Sequence, residues 1–188
     1  QGDIAEVESR LAEGDVAAVI LEPTGASWGT LPLRDGFLAD LREATARHNT
    51  VLIFDDVVTG FRVSPGGTQA RYGVTPDLTA LAKILAGGLP GGCLIGRKDI
   101  LSFIEPRPGQ PKMKHPGTYN ANPLSAAAGI AMMKQVQTGV PTKKVNEAAR
   151  NLRNGLNKLF AEKVETRQTV DDARIRLDSA RSSMREAE

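Results

Sequence analysis

The sequence predicts an α/β domain built on a largely parallel sheet with flanking helices. Three observations lead there. Short continuous apolar runs, "VAAVILEP", "TVLIFDD" and "DLTALAK", read as buried strands. A helical pattern separates the first two runs, the alternation expected of parallel strands. Charged residues close the runs at Glu22, Asp55 and Lys83, and functional groups of such sheets collect at the carboxyl ends of strands.

The elements follow in order. Ile4, Val7 and Leu11 share one face of a helix over residues 4–13, and Gly14 stops it. "VAAVILEP" is the first strand, and "TGASWGTLP" is a loop of small residues. Residues 35–48 form a helix with Phe37, Leu38, Leu41 and Ala44 inward. "TVLIFDD" is the second strand and "SPGGTQARYGVTP" a loop or short helix. "DLTALAK" is the third strand, ending at Lys83; "AGGLPGG" turns the chain into a fourth strand, "CLIG". A short helix over 99–104 and a long proline-rich loop come next. Asn122-Pro123 reads as an N-cap with proline at the first helical position, opening a helix that runs to Gly139. A last helix over 142–163 places Val145, Ala149, Leu152, Leu156, Leu159 and Phe160 on one side. From 161 to 188 the composition becomes charged, and Val170, Ala173, Leu177, Ala180, Met184 and Ala187 follow a heptad spacing. The tail reads as a solvated amphipathic helix, apart from a main domain over 1–160.

Bulk composition narrows the function classes. The 188 residues suffice for one real core, and the net charge of +2 argues against nucleic acid or an anionic membrane as partner. A single cysteine, Cys93, excludes an internal disulfide, fits a reducing, cytoplasmic setting, and in its apolar stretch reads as a buried structural thiol. No segment has the apolar length to span a bilayer, no secretory signal opens the chain, and its start reads as the inside of a helix, hence as a fragment.

The stretch "LIFDDVVTGFR" poses the chemical question. Burial of a carboxylate is expensive, so at least one of Asp55 and Asp56 is expected to have a cationic partner. A lysine directly after a buried strand loses its proton more easily than a free one and becomes a nucleophile. Taken alone, Asp55 and Lys83 fit a structural ion pair on neighbouring strands.

The surrounding segments change that balance. "VILEP", "LIFDDVVTGFRV", "YGVTPDLTALAKILAGGLPGGCLIGR" and "GTYNANPLSAAAG" resemble, in order and interval, the class III aminotransferases, pyridoxal phosphate enzymes of fold type I. Within that family the 2,1-aminomutase branch is the most similar. The resemblance runs from about Val16 to Leu159 and implies a partial fold type I large domain, incomplete at both ends. It implies that Asp55 pairs with the pyridine nitrogen and Val57 packs on one ring face. Lys83 is then the Schiff-base lysine and the proton shuttle between substrate Cα and cofactor C4′. Thr118 reaches the cofactor phosphate of the partner subunit, so a homodimer is implied. A phosphate site there also suits a hydroxyl and backbone N–H groups just before a helix N-terminus. Glu22 fits either the substrate side or a strand-end acid held by backbone N–H groups. The family usually has glutamate where this chain has Asp56, and often three glycines where it has Ala86-Gly87-Gly88. Its glycine/serine phosphate loop, its second ring-stacking aromatic and its small C-terminal domain have no counterpart here.

The expected function of the full-length parent is pyridoxal-phosphate-dependent amino-group transfer, by an aminotransferase (a transferase) or an aminomutase (an isomerase), on a small amino acid or amine; these 188 residues alone are expected to be inactive. The alternative is a truncated non-catalytic remnant or interaction module keeping the fold core. "AGGLPGG" lacks both the dinucleotide fingerprint and the Walker lysine pattern, which leaves little for a nucleotide-binding reading.

Overall fold

A computed structural model describes residues 2–105, 108, 109, 111–161, 174, 175 and 177. The elements run α1 (Ile4–Leu11), β1 (Ala18–Leu21), α2 (Ala26–Gly29), α3 (Phe37–Arg47), β2 (Val51–Asp55), α4 (Gly60–Val63), α5 (Gly67–Tyr72) and β3 (Leu78–Ala82). A 3-10 turn (Lys83–Ala86) then leads into β4 (Gly92–Gly96), α6 (Lys98–Leu101), a second 3-10 turn (Ser102–Ile104), α7 (Pro123–Val136) and α8 (Val140–Ala161).

The sheet order is β1-β2-β3-β4, with β1–β2 and β2–β3 parallel and β3–β4 antiparallel. This is the mostly parallel α/β sheet expected. The register sets Leu21 beside Phe54 and Asp55 beside Ala80, so the three parallel strands finish at one edge.

Alternation along β2 decides which side is covered. Leu52 and Phe54 are fully buried, and they join Phe37, Leu38, Leu41 and Val74 in the core. Ile4, Val7, Val19, Leu21 and Leu33 pack against that cluster. The helices earn their places by capping and by stripe. Asp3 Oδ1 accepts the Ala5 and Glu6 amides at 2.9 and 3.3 Å, which starts α1. Glu8 on α1 then meets Arg47 and His48 at the end of α3, tying the two helices together.

Asp77 is the fixed point at the opposite, N-terminal end of the sheet. It is 7 % exposed and accepts the Leu52 amide at 2.8 Å, Arg42 at 2.8 Å and Arg97 at 3.0 Å. One carboxylate thereby joins α3, β2, β3 and the end of β4.

Several expectations need correction. Cys93 is exposed, not buried, because β4 is an outer strand of the sheet with only Leu94 partly covered. Lys83 lies outside β3, as the first residue of the 3-10 turn. The loop "TGASWGTLP" contains the single turn α2. The apolar side expected for α8 is only partly covered: Leu152 and Leu156 are half-buried, while Val145, Leu159 and Phe160 are exposed. Of the heptad positions in the tail, Leu177 alone falls within the described residues, in a helical conformation; Val170, Ala173, Ala180, Met184 and Ala187 lie outside them.

Candidate active site

The carboxyl edge of the parallel strands holds the candidate chemistry. Asp55 ends β2 on the face of Ile53, away from the helix-covered side, and is half-buried. Its Oδ1 accepts the Val57 amide at 3.1 Å, a local turn that fixes the carboxylate direction. Among the described residues Asp55 takes part in no ion pair, and the Lys83 side chain in no ion pair or hydrogen bond.

Lys83 follows β3 three residues after Ala80, the register partner of Asp55. Parallel pairing therefore brings a carboxylate and an amine to adjacent strand ends. Lys83 is half-buried and has φ +54°, a left-handed conformation uncommon for a side chain with a Cβ. Such backbone persists only where the surroundings over-determine it, and it clusters at functional positions.

Helix α7 supplies those surroundings. A Cβ on Gly129 would stand 2.7 Å from the Leu85 carbonyl oxygen, and one on Gly87 would stand 2.7 Å from the Ala128 carbonyl oxygen. Two glycines thus let α7 press directly onto the turn that begins with Lys83. Ser125 Oγ adds a bond to the Pro90 carbonyl at 2.7 Å.

Val57 is half-buried just beyond Asp55. Thr118 is exposed on the turn before α7, and among the described residues no hydrogen bond joins it to Asp55 or Lys83. The cap expected at Asn122 is formed. Asn122 Oδ1 already accepts the Leu124 and Ser125 amides, each at 3.0 Å, so those two donors are taken. A groove of about 860 Å³ between Ala86, Gly92, Leu94, Asn122 and Gly129 is not lined by Asp55, Val57, Lys83 or Thr118.

The sequence reading missed the depth of Asp56. It is 3 % exposed and accepts the Thr59 hydroxyl at 2.9 Å, the Thr68 amide at 3.1 Å and the Thr68 hydroxyl at 2.8 Å. At Asp56 the donors are neutral, and their summed hydrogen bonds offset the lost hydration; the expectation of a cation for at least one of the pair then rests on Asp55. Only the clustering of threonines after "DD" hinted at this. Arg62 is half-buried, and burial pushes its guanidinium pKa down.

The comparison with known proteins decides the family. Residues 2–173 match the family described as aminotransferase class-III. The chain belongs to the class III aminotransferases. The match extends past Leu159, beyond the reach of the quoted motifs. Among curated relatives, the glutamate-1-semialdehyde 2,1-aminomutase of Pyrobaculum neutrophilum is 45% identical over 143 residues, covering 76% of this chain and 33% of that protein. That of Natranaerobius thermophilus is 42% identical over 145 residues, covering 77% and 33%. Among solved structures, an omega-transaminase from Sphaerobacter thermophilus aligns with a TM-score of 0.77 at 37% identity, over 86% of this chain and 37% of that one. A glutamate-1-semialdehyde-aminomutase from Pseudomonas aeruginosa in complex with PMP aligns with a TM-score of 0.61 at 36% identity, over 70% and 30%. The chain spans about a third of the length of the curated relatives it matches.

Proposed function

We propose that this class III aminotransferase chain carries the base of a pyridoxal phosphate site and serves amino-group transfer to or within a small amino acid or amine. The observation that supports it most is the meeting of Asp55 and Lys83 at adjacent parallel strand ends, with Lys83 in left-handed backbone. The donor set suits the cofactor. A half-buried carboxylate held by a single backbone N–H answers a protonated ring nitrogen, and an amine with no ion pair answers an aldehyde.

When bound, the cofactor supplies an electron sink for the carbon that bears the amino group. The chain's residues do the rest. Asp55 keeps the ring nitrogen protonated by favouring the charged form. Val57 packs against one face of the ring and excludes water there. Lys83 holds the cofactor through its ε-amine and, once released, takes and returns the proton at substrate Cα. Thr118 offers its exposed hydroxyl to the phosphate held by a partner subunit, which makes the working unit a homodimer.

Within this class the aminomutase branch is favoured, since the curated relatives named above both bear that name. The setting proposed is cytoplasmic; no helix among the described residues is long and apolar enough to cross a membrane. The domain proposal is a cofactor-binding body over 1–160 followed by a separate charged tail.

The test is a visible absorption titration with pyridoxal phosphate on the parent, Lys83→Ala and Asp55→Ala. The parent should develop a band that borohydride traps covalently. Lys83→Ala should bind without trapping, and Asp55→Ala should bind more weakly while remaining folded. Equal trapping in Lys83→Ala would remove Lys83 from the role.

A further inference from the structure

We propose that Asp56 is a positioning residue that holds Asp55 and Val57 in their cofactor-facing arrangement through helix α5. The inference rests on the reading above, in which Asp55 meets the cofactor.

Asp56 is fixed from both sides of the site. Its amide donates to the Ala80 carbonyl at 3.0 Å, on the strand that leads to Lys83, and its carbonyl accepts the Gly60 amide at 3.0 Å. Its carboxylate reaches the other way, into α4 and α5. Oδ1 takes the Thr59 hydroxyl, and Oδ2 takes both the amide and the hydroxyl of Thr68, which is wholly buried.

The close approach depends on a particular neighbour. Gly67 has φ +71°, and a Cβ there would stand 3.2 Å from Asp56 Oδ2. Glycine therefore opens the space in which a short acid meets the start of α5.

The mechanical link to Asp55 is short. The Val57 amide that orients Asp55 Oδ1 belongs to the peptide unit formed with the Asp56 carbonyl. If the Asp56 side chain lets go, this peptide can rotate, and the Asp55 carboxylate loses its direction. The donors are all neutral, so geometry rather than charge at Asp56 is what the site requires.

That distinction makes the conservative variant informative. In Asp56→Asn the amide oxygen can accept from Thr68 while the NH2 donates to the Thr59 hydroxyl. Asp56→Ala leaves three buried donors unsatisfied.

The experiment measures pyridoxal phosphate affinity by absorption titration and stability by urea unfolding, in the full chain. Asp56→Ala should raise the cofactor dissociation constant about tenfold, the size expected when buried partners go unpaired. Asp56→Asn should restore affinity to within about twofold of the parent, well inside one hydrogen bond. In an Asp55→Asn background, Asp56→Ala should lower stability as before but leave cofactor affinity unchanged, because Asp56 acts through Asp55. If Asp56→Ala does not fold, Thr68→Val removes one hydroxyl and should show the same dependence on Asp55 at smaller amplitude. Equal affinity losses in both backgrounds, or a stability loss with no affinity loss, would overturn the positioning role. Failure of the parent to bind the cofactor would overturn the reading beneath it, and this inference with it.

Discussion

Lys83 combines two demands that usually conflict: an amine at a strand end and a left-handed backbone. The left-handed region disfavours any Cβ, and glycine escapes that while losing more entropy on folding. On balance Lys83→Gly should be more stable than Lys83→Ala by about 0.5–1 kcal/mol. Urea midpoints of the two variants, neither able to attach the cofactor, give that difference directly. Equal midpoints would show that the turn relaxes when the lysine is lost.

Asp77 is the residue whose titration should matter to the fold. Burial alone pushes its carboxyl pKa up, but the Leu52 amide and the Arg42 and Arg97 guanidinium groups outweigh burial and hold it below the ordinary value. A depressed folded pKa means stability that is complete above the unfolded value of about 3.9 and lost as pH falls through the folded one. The parent's urea midpoint should therefore drop steeply below about pH 4, and Asp77→Asn should flatten that drop. At neutral pH Asp77→Asn should cost about 2–3 kcal/mol, since Arg42 loses its buried partner.

Residues differed in how far the sequence exposed them. The placement of Asp55 and Lys83 at neighbouring strand ends was legible because parallel strands bring their carboxyl ends together whatever the loops do, while their proposed roles came from the family resemblance. Asp56 was not, because its depth depends on Thr68, 12 residues away, and on a glycine that makes room. Cys93 was misread because an apolar stretch alone does not tell an outer strand from an inner one.

At the scale of elements, α7 is the one that sets the candidate site. Its N-terminus was readable in Asn122-Pro123, and the cap is formed as the pattern requires. Its contact with the Lys83 turn was not readable, since nothing local marks Gly129 as a close approach. Gly129→Ala weighs two effects against each other. Helix propensity favours alanine by about 1 kcal/mol. A Cβ 2.7 Å from a backbone carbonyl forces α7 away, at about 1–3 kcal/mol. Packing should win, so the variant should be less stable and bind pyridoxal phosphate more weakly. A stabilised variant with unchanged affinity would mean that α7 does not set the turn. The apolar runs marked β1, β2 and β3 as strands but not their register; the antiparallel direction of β4, also unread, has its physical reason in the short connection from Ala82 to Gly92, which cannot cross over a sheet.

For the whole molecule, the covered core lies on one side of the sheet, around Phe37, Leu41, Leu52 and Phe54. Elsewhere large apolar side chains face outward: Ile20 on β1, Leu124 and Ile130 on α7, and Phe160 on α8. Parallel sheets are ordinarily covered on both faces, so this surface should drive association. Light scattering across a concentration series should show a weight-average mass rising above the monomer. A constant monomer mass would contradict the proposed homodimer for this chain.

The proposed function turns on Lys83 as the residue that holds the cofactor. Borohydride reduction of the pyridoxal phosphate complex, followed by peptide mass mapping, locates the attachment. A reduced pyridoxyl adduct is expected on Lys83, at near-stoichiometric yield and dependent on Asp55. Adducts spread over surface lysines, or a dominant adduct elsewhere with Lys83 unmodified, would contradict it.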